Sequence, residues 1–132
     1  FVMAMDDPDT NLRAVRLVRR LYPQARVLAR ARNRRHAWKL MDMSAEPFRE
    51  VFGSSLEVSE RVLTALGIPE DVAREYVRRF REHDEKLLKA QHLVYDDEAA
   101  VIQTSRDARA DLMHLFEADV GDSHAAAAKG NE

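Results

Sequence analysis

Arginines are the side chains of this sequence best placed to do chemistry. Arg30 and Arg32 alternate with Ala29 and Ala31 in the run Arg26–Arg32, and alternation puts both guanidinium groups on one face of a strand, near its carboxyl end. In open α/β sheets ligands sit in the crevice outside that end. Two arginines there suit a nucleotide phosphate or an acidic partner segment, the alternative being salt bridges to the acidic second half of the chain, since cations on an interior strand are costly unless neutralised. Asp6 and Asp7 follow the apolar run Phe1–Met5 and are placed to touch a ribose or adenine in the same crevice, with Asn11 grouped beside them. The commoner use of such an acidic turn is to cap the next helix. Arg49 lies at the end of a short expected strand and ahead of a helix start, where it can fork a carboxylate or pair with Glu46 or Glu50. Arg81, on a long helix, can also hold a carboxylate, the alternative being a solvated surface.

Other chemistries find little support. The sequence has no cysteine, so it has no thiolate zinc site, disulfide or cysteine nucleophile. Its five histidines form no pair at close helical spacing, and no metal is expected. Gly53-Ser54-Ser55 lacks the surroundings of a nucleophile elbow, and no catalytic residue is assigned. Arg13, Arg16 and Arg20, with Arg19 adjacent, form a basic helix stripe. It lacks the aromatic interleaving and overall positive charge of a nucleic-acid binder, so no nucleic-acid partner is expected.

The elements that must position these residues follow from periodicity. Phe1–Met5 has the continuous apolar character of a strand buried on both faces. After Pro8, with Asp9 or Thr10 as cap, Leu12, Val15, Val18 and Tyr22 recur at helical spacing up to Pro23. Arg26–Arg32 is the next strand, Asn33 caps a helix to about Met43, and Trp38 with Leu40 and Met41 packs that helix on the sheet. Phe48–Val51 is expected as a last short strand, and Ser54 with Glu57 has capping-box spacing for a helix ending at Gly67. One long helix should run from about Glu70 to Tyr95, with Ala73, Phe80, Leu87 and Val94 in a heptad stripe that His83, Asp84 and Gln91 interrupt. A further helix is expected over about Ser105–Glu117.

The fold class is therefore α/β: the C-terminal half of a Rossmann-like parallel sheet followed by a helical extension. Residues 1–67 form the sheet part, 68–117 a helical arm for dimerisation and ligand contact, and 118–132 a disordered tail. The phosphate-cradling glycine loop of such a sheet is absent from this sequence, so the chain is expected to supply one wall of a nucleotide site. The charge divides in the same way. Residues 1–49 carry eleven Lys/Arg against five Asp/Glu and residues 50–132 ten against eighteen, so anions should prefer the front half. No apolar stretch approaches the ~20 residues that cross a bilayer, and this part of the chain is expected to be soluble.

Asp7-Pro8-Asp9-Thr10-Asn11-Leu12, then Val27–Asn33, Arg49-Glu50-Val51-Phe52 and Arg78–Asp84, occur in order. Together they make the chain resemble the cytosolic regulatory domain of glutathione-gated potassium efflux (Kef) antiporters over roughly residues 1–117. The resemblance implies a dimeric, non-enzymatic domain at the cytoplasmic face of the inner membrane, attached to the transmembrane antiporter part of the same protein. In some relatives an ancillary oxidoreductase subunit is added. It implies glutathione as regulatory ligand, closing the antiporter while bulky glutathione adducts open it, and an adenine nucleotide, AMP or NAD(H), in the Rossmann cleft. Arg49 matches an arginine that the family uses for glutathione. Arg81 stands where some members place an asparagine contact. Asp6, Asp7, Asn11, Arg30 and Arg32 fall to the nucleotide cleft. Two alternatives stay open at this point: the distal half of a nicotinamide-dependent dehydrogenase, and a dimerising adaptor without a small-molecule ligand.

Overall fold

The computed structural model describes residues 1–129, with side chains through residue 118. Its elements run β1 (Val2–Met3), α1 (Pro8–Leu21), β2 (Leu28–Arg30), α2 (Arg34–Asp42), β3 (Glu46–Phe48), α3 (Glu50–Ala65), α4 (Glu70–His92) and α5 (Glu98–Lys129). The three strands form one parallel sheet in the order β1-β2-β3, joined by α1 and α2, as a Rossmann-like α/β unit requires. The chain falls into two compact units, Phe1–Arg81 and Glu82–Glu132.

In the first unit α1 and α2 bury Val15, Val18, Ala37, Trp38 and Leu40 with Val27 and Ala29 of the β2 segment. Full burial of a side chain of Leu or Val size stabilises by ~1.5–3 kcal/mol. Trp38, 6 % exposed, does the packing its place in the apolar face implied. The sheet, however, departs from expectation at its first strand. β1 lies at the sheet edge with Val2 76 % exposed, so the apolar run Phe1–Met5 is not buried on both faces among the described residues.

Helix boundaries are set by local hydrogen bonds that sequence spacing ranks poorly. Asp7, not Asp9 or Thr10, caps α1: its carboxylate accepts from the Thr10 N–H at 2.7 Å, and Pro8 takes the first turn, where its missing donor costs nothing. Asn33 caps α2 as expected, accepting from the His36 N–H at 2.8 Å. The last strand is Glu46–Phe48 rather than Phe48–Val51, because Arg49 already serves as the N-cap residue of α3. Ser54 is therefore inside α3, its hydroxyl donating to the Glu50 and Val51 carbonyls, and forms no capping box with Glu57. The end of α3 is the expected glycine stop. Gly67 adopts φ +93°, its N–H donates to the Thr64 carbonyl at 3.0 Å and the Ile68 N–H to the Leu63 carbonyl at 3.1 Å.

In the second unit α4 ends at His92, three residues short of Tyr95, and the chain turns to α5. The cap is Asp97, whose carboxylate accepts from the Ala100 N–H at 3.1 Å. This starts α5 seven residues before the expected Ser105. Gln91, read as an interruption of the apolar stripe, is 1 % exposed and holds the turn together. Its amide donates to the Val101 carbonyl and the Thr104 hydroxyl, each at 3.3 Å, and to the Ser105 hydroxyl at 2.8 Å. α5 continues to Lys129 where disorder was expected from residue 118. The four alanines 125–128 favour helix. The remainder of that expectation, at residues 130–132, lies outside the described residues.

Candidate functional site

At the carboxyl ends of the three strands the structure forms a cavity of about 230 Å³. Met5 and Asp6 close it from β1, Arg30 to Arg32 from β2, His36 from α2, and Glu50 with Val51 from the start of α3. Parallel strands place all these termini on one side, which is why three separate stretches of sequence meet here.

Arg30 is the hub of this crevice. Its guanidinium donates from Nε to Glu50 at 2.6 Å and from a terminal nitrogen to Asp6. The hydrogen bond to Asp6, then the charge of Glu50, raise its pKa further above the ordinary arginine value. Of the two uses open to it from sequence, the one observed is salt bridging, and Glu50 belongs to the acidic rear half. An anion entering the crevice must compete with both carboxylates. Arg32 is exposed and donates to the Asp6 carbonyl at 3.4 Å.

The remaining crevice candidates act behind the wall. Asp7 is engaged as the cap of α1, and the hydrogen bond from Thr10 lowers its pKa. Asn11 is fully buried; its amide donates to the carbonyls of Met3 and Arg30, each at 3.3 Å. It thereby braces β1 and β2 where the crevice begins. A buried asparagine looks like any helix-surface polar residue in sequence, so this strut had no sequence signal beyond its place beside Asp6 and Asp7. His36, 5 % exposed, was not singled out from sequence; the signal that could have found it is its position three residues after the capping Asn33.

Arg49 occupies a second setting. It heads α3, half-buried, with its guanidinium carbon 4.0 Å from the centroid of the Phe52 ring, close enough for a cation–π contact. Phe52 in turn meets Phe80 of α4 at 6.4 Å between centroids. Phe80 is thus half-buried packing within the first unit, and Arg81, the next residue, is exposed on α4. Glu46 and Glu50, the carboxylates nearest Arg49 in sequence, are bound to Arg26 at 2.9 Å and Arg30 at 2.6 Å. The basic stripe is less uniform than its sequence: Arg13 and Arg16 line a groove of about 480 Å³ together with Asp9 and Asp42.

This architecture has known counterparts. The family model described as the potassium efflux system KefB C-terminal domain matches residues 54–130, more than half of the chain. The chain belongs to this family. A TrkA-N domain model matches residues 1–48, so the two matches meet close to the point where the charge balance changes sign. The glutathione-regulated potassium-efflux system protein KefC of Cronobacter sakazakii is 34 % identical over 119 residues. That match takes in 89 % of this chain and 19 % of KefC, so the chain spans about a fifth of that relative's length. The Kef CTD of Shewanella denitrificans, solved in AMP-bound form, superposes with a TM-score of 0.68 at 34 % identity, covering 70 % of this chain and 60 % of the other. The resemblance to a Kef regulatory domain and the Rossmann-like α/β fold are both borne out. Among the described residues no helix is long and apolar enough to cross a membrane, and no cluster of potential metal ligands occurs.

Proposed function

We propose that the chain is a ligand-sensing regulatory domain of a glutathione-regulated potassium/proton antiporter, gating potassium efflux in response to glutathione and its adducts. Glutathione is the regulatory ligand, held by Arg49 with Arg81 as a second carboxylate contact. An adenine nucleotide, AMP or NAD(H), uses the crevice at Asp6, Arg30 and Arg32 as one wall, while Asp7 and Asn11 set its rim from behind. The partners are the transmembrane antiporter part of the same protein at the cytoplasmic face of the membrane, and a second copy of the domain contacted through the arm 68–117. An ancillary oxidoreductase subunit remains a further partner. Family membership favours this reading over half of a dehydrogenase or a ligand-free adaptor.

The observation that carries the reading is the setting of Arg49. A guanidinium at a helix start, steadied over an aromatic ring and partly open to solvent, is pre-organised to fork a carboxylate at small entropic cost. The test is inhibition of potassium efflux by glutathione in the complete antiporter. Arg49→Ala should weaken inhibition by about 1.5 to 3 kcal/mol, the scale of a hydrogen bond to a charged group. Arg49→Lys should rescue poorly, because a point charge cannot reproduce the fork. Wild-type sensitivity in the alanine variant would remove Arg49 from the site.

A further inference from the structure

His36 sits at the back of the crevice in a state that only one protonation form satisfies. Its Nδ1 accepts the backbone N–H of Arg32 at 3.1 Å. A ring nitrogen that accepts carries no proton, so the neutral ring bears its hydrogen on Nε2. That Nε2 is buried and makes no hydrogen bond among the described residues. The ring is 5 % exposed, and its backbone N–H is held by Asn33. The latch therefore spans the turn between β2 and α2, from the Arg32 amide to the first turn of the helix.

We propose that His36 is a proton-operated latch: neutral, it holds the Arg32 amide and keeps the β2–α2 turn closed behind the crevice; protonated, it releases that amide and loosens the turn that carries Arg32. Protonation fills the Nδ1 lone pair, so the Arg32 N–H loses its acceptor and meets another donor. The new charge is also poorly received. Lys39 on α2 and Arg30 and Arg32 of the β2 segment are cations. Of the carboxylates, Asp6 beyond β1 and Glu50 of α3 are already bound to Arg30, which leaves Asp9 on α1 as the opposing charge. Burial first, then Lys39, hold the imidazole below its ordinary value of 6.5, while Asp9 pulls the other way. With the folded-state value below the unfolded one, the latch contributes its full stability above 6.5 and loses it as pH falls through the folded-state value. A crevice of this build responds to acid in the compartment it faces, whatever ligand it takes.

The test is hydrogen exchange by mass spectrometry on the full polypeptide, reading a peptide over 28–38 at about pH 7.5 and about pH 5.5 after correction for intrinsic rates. Wild type should lose protection at the acid end, by up to about tenfold, the ceiling that an open-state value of 6.5 sets between these two pH values. His36→Asn, which offers an acceptor that does not titrate, should show no such pH dependence. Exchange at the histidine ring carbon of the wild-type protein measures the His36 titration with no substitution at all, so the proposal stands or falls even if the variant does not fold. A midpoint at or above 6.5, unchanged protection at acid pH, or an equal acid response in His36→Asn would overturn it.

Discussion

The Arg19 guanidinium on α1 donates from Nε to the carbonyl of Met43 at 2.9 Å, tying the last turn of the first helix to the end of the second. The same group reaches the carbonyls of Pro23 at 3.4 Å, Ala25 at 2.5 Å and Ser44. Ser44 has φ 55°, a left-handed conformation that leaves its carbonyl outside any helix. Arg19 therefore gathers the orphan carbonyls of two chain reversals. Arg19→Ala should destabilise the domain by about 2 kcal/mol in urea unfolding, and Arg19→Lys should restore little of it. A loss of a few tenths would mean that water replaces the guanidinium without cost.

On α4, Glu75 accepts from Arg78 at 2.8 and 2.6 Å and from Arg79 at 2.8 Å. These hydrogen bonds, Arg78 first, pull its pKa from 4.5 to about 2. Because the folded value is the lower one, the network stabilises fully above 4.5 and is lost as pH falls toward 2. Carbon-13 titration of the carboxylates should show Glu75 as the outlier. An ordinary glutamate midpoint would show that both arginines are solvated.

Gln91 joins α4 to α5 through three acceptors. Gln91→Ala should leave a cavity and unpaired polar groups, lowering the protection of the α5 start in hydrogen exchange by the equivalent of about 2 kcal/mol. Gln91→Leu should recover the volume but not the hydrogen bonds. Equal protection in all three proteins would show that α5 starts independently of Gln91.

β1 is a parallel edge strand with an exposed apolar residue at Val2, a template for pairing with another chain. The 132-residue chain alone should self-associate in light scattering. The Leu28 N–H donates to the Phe1 carbonyl, so alternation turns the Val2 amide outward. Val2→Pro should then suppress association while sparing the ladder to β2. A monodisperse wild-type monomer would contradict the edge as a template.

Much of this architecture was legible because it rests on strong local signals. Pro23, Asn33 and Gly67 each stop or start a helix within a residue of where their chemistry demands. What sequence hid were residues whose polarity suggests surface but whose setting is interior. Asn11, His36 and Gln91 are all buried, and each is useful for a hydrogen bond to backbone or hydroxyl partners that are distant or unremarkable in sequence. Arg30 was legible as a crevice residue, but not its fork to Asp6 and Glu50, since the three come together only when two parallel strands and a helix start converge. The misplaced third strand had a simpler cause: Phe48-Arg49-Glu50-Val51 is too short to show either period, and only the N-cap role of Arg49 shows that the helix has begun.

Pro47 sits in the middle of β3, opposite Ala29. Glu46 donates to the Val27 carbonyl and the Phe48 carbonyl accepts from Ala31, so the ring nitrogen of Pro47, which has no hydrogen, faces away from β2. That margin offers a newcomer no donor at its centre. The sheet is thereby given a direction of growth. Any strand that extends it, whether from the same polypeptide or another, is steered to the β1 margin, and one imino acid on β3 decides the side.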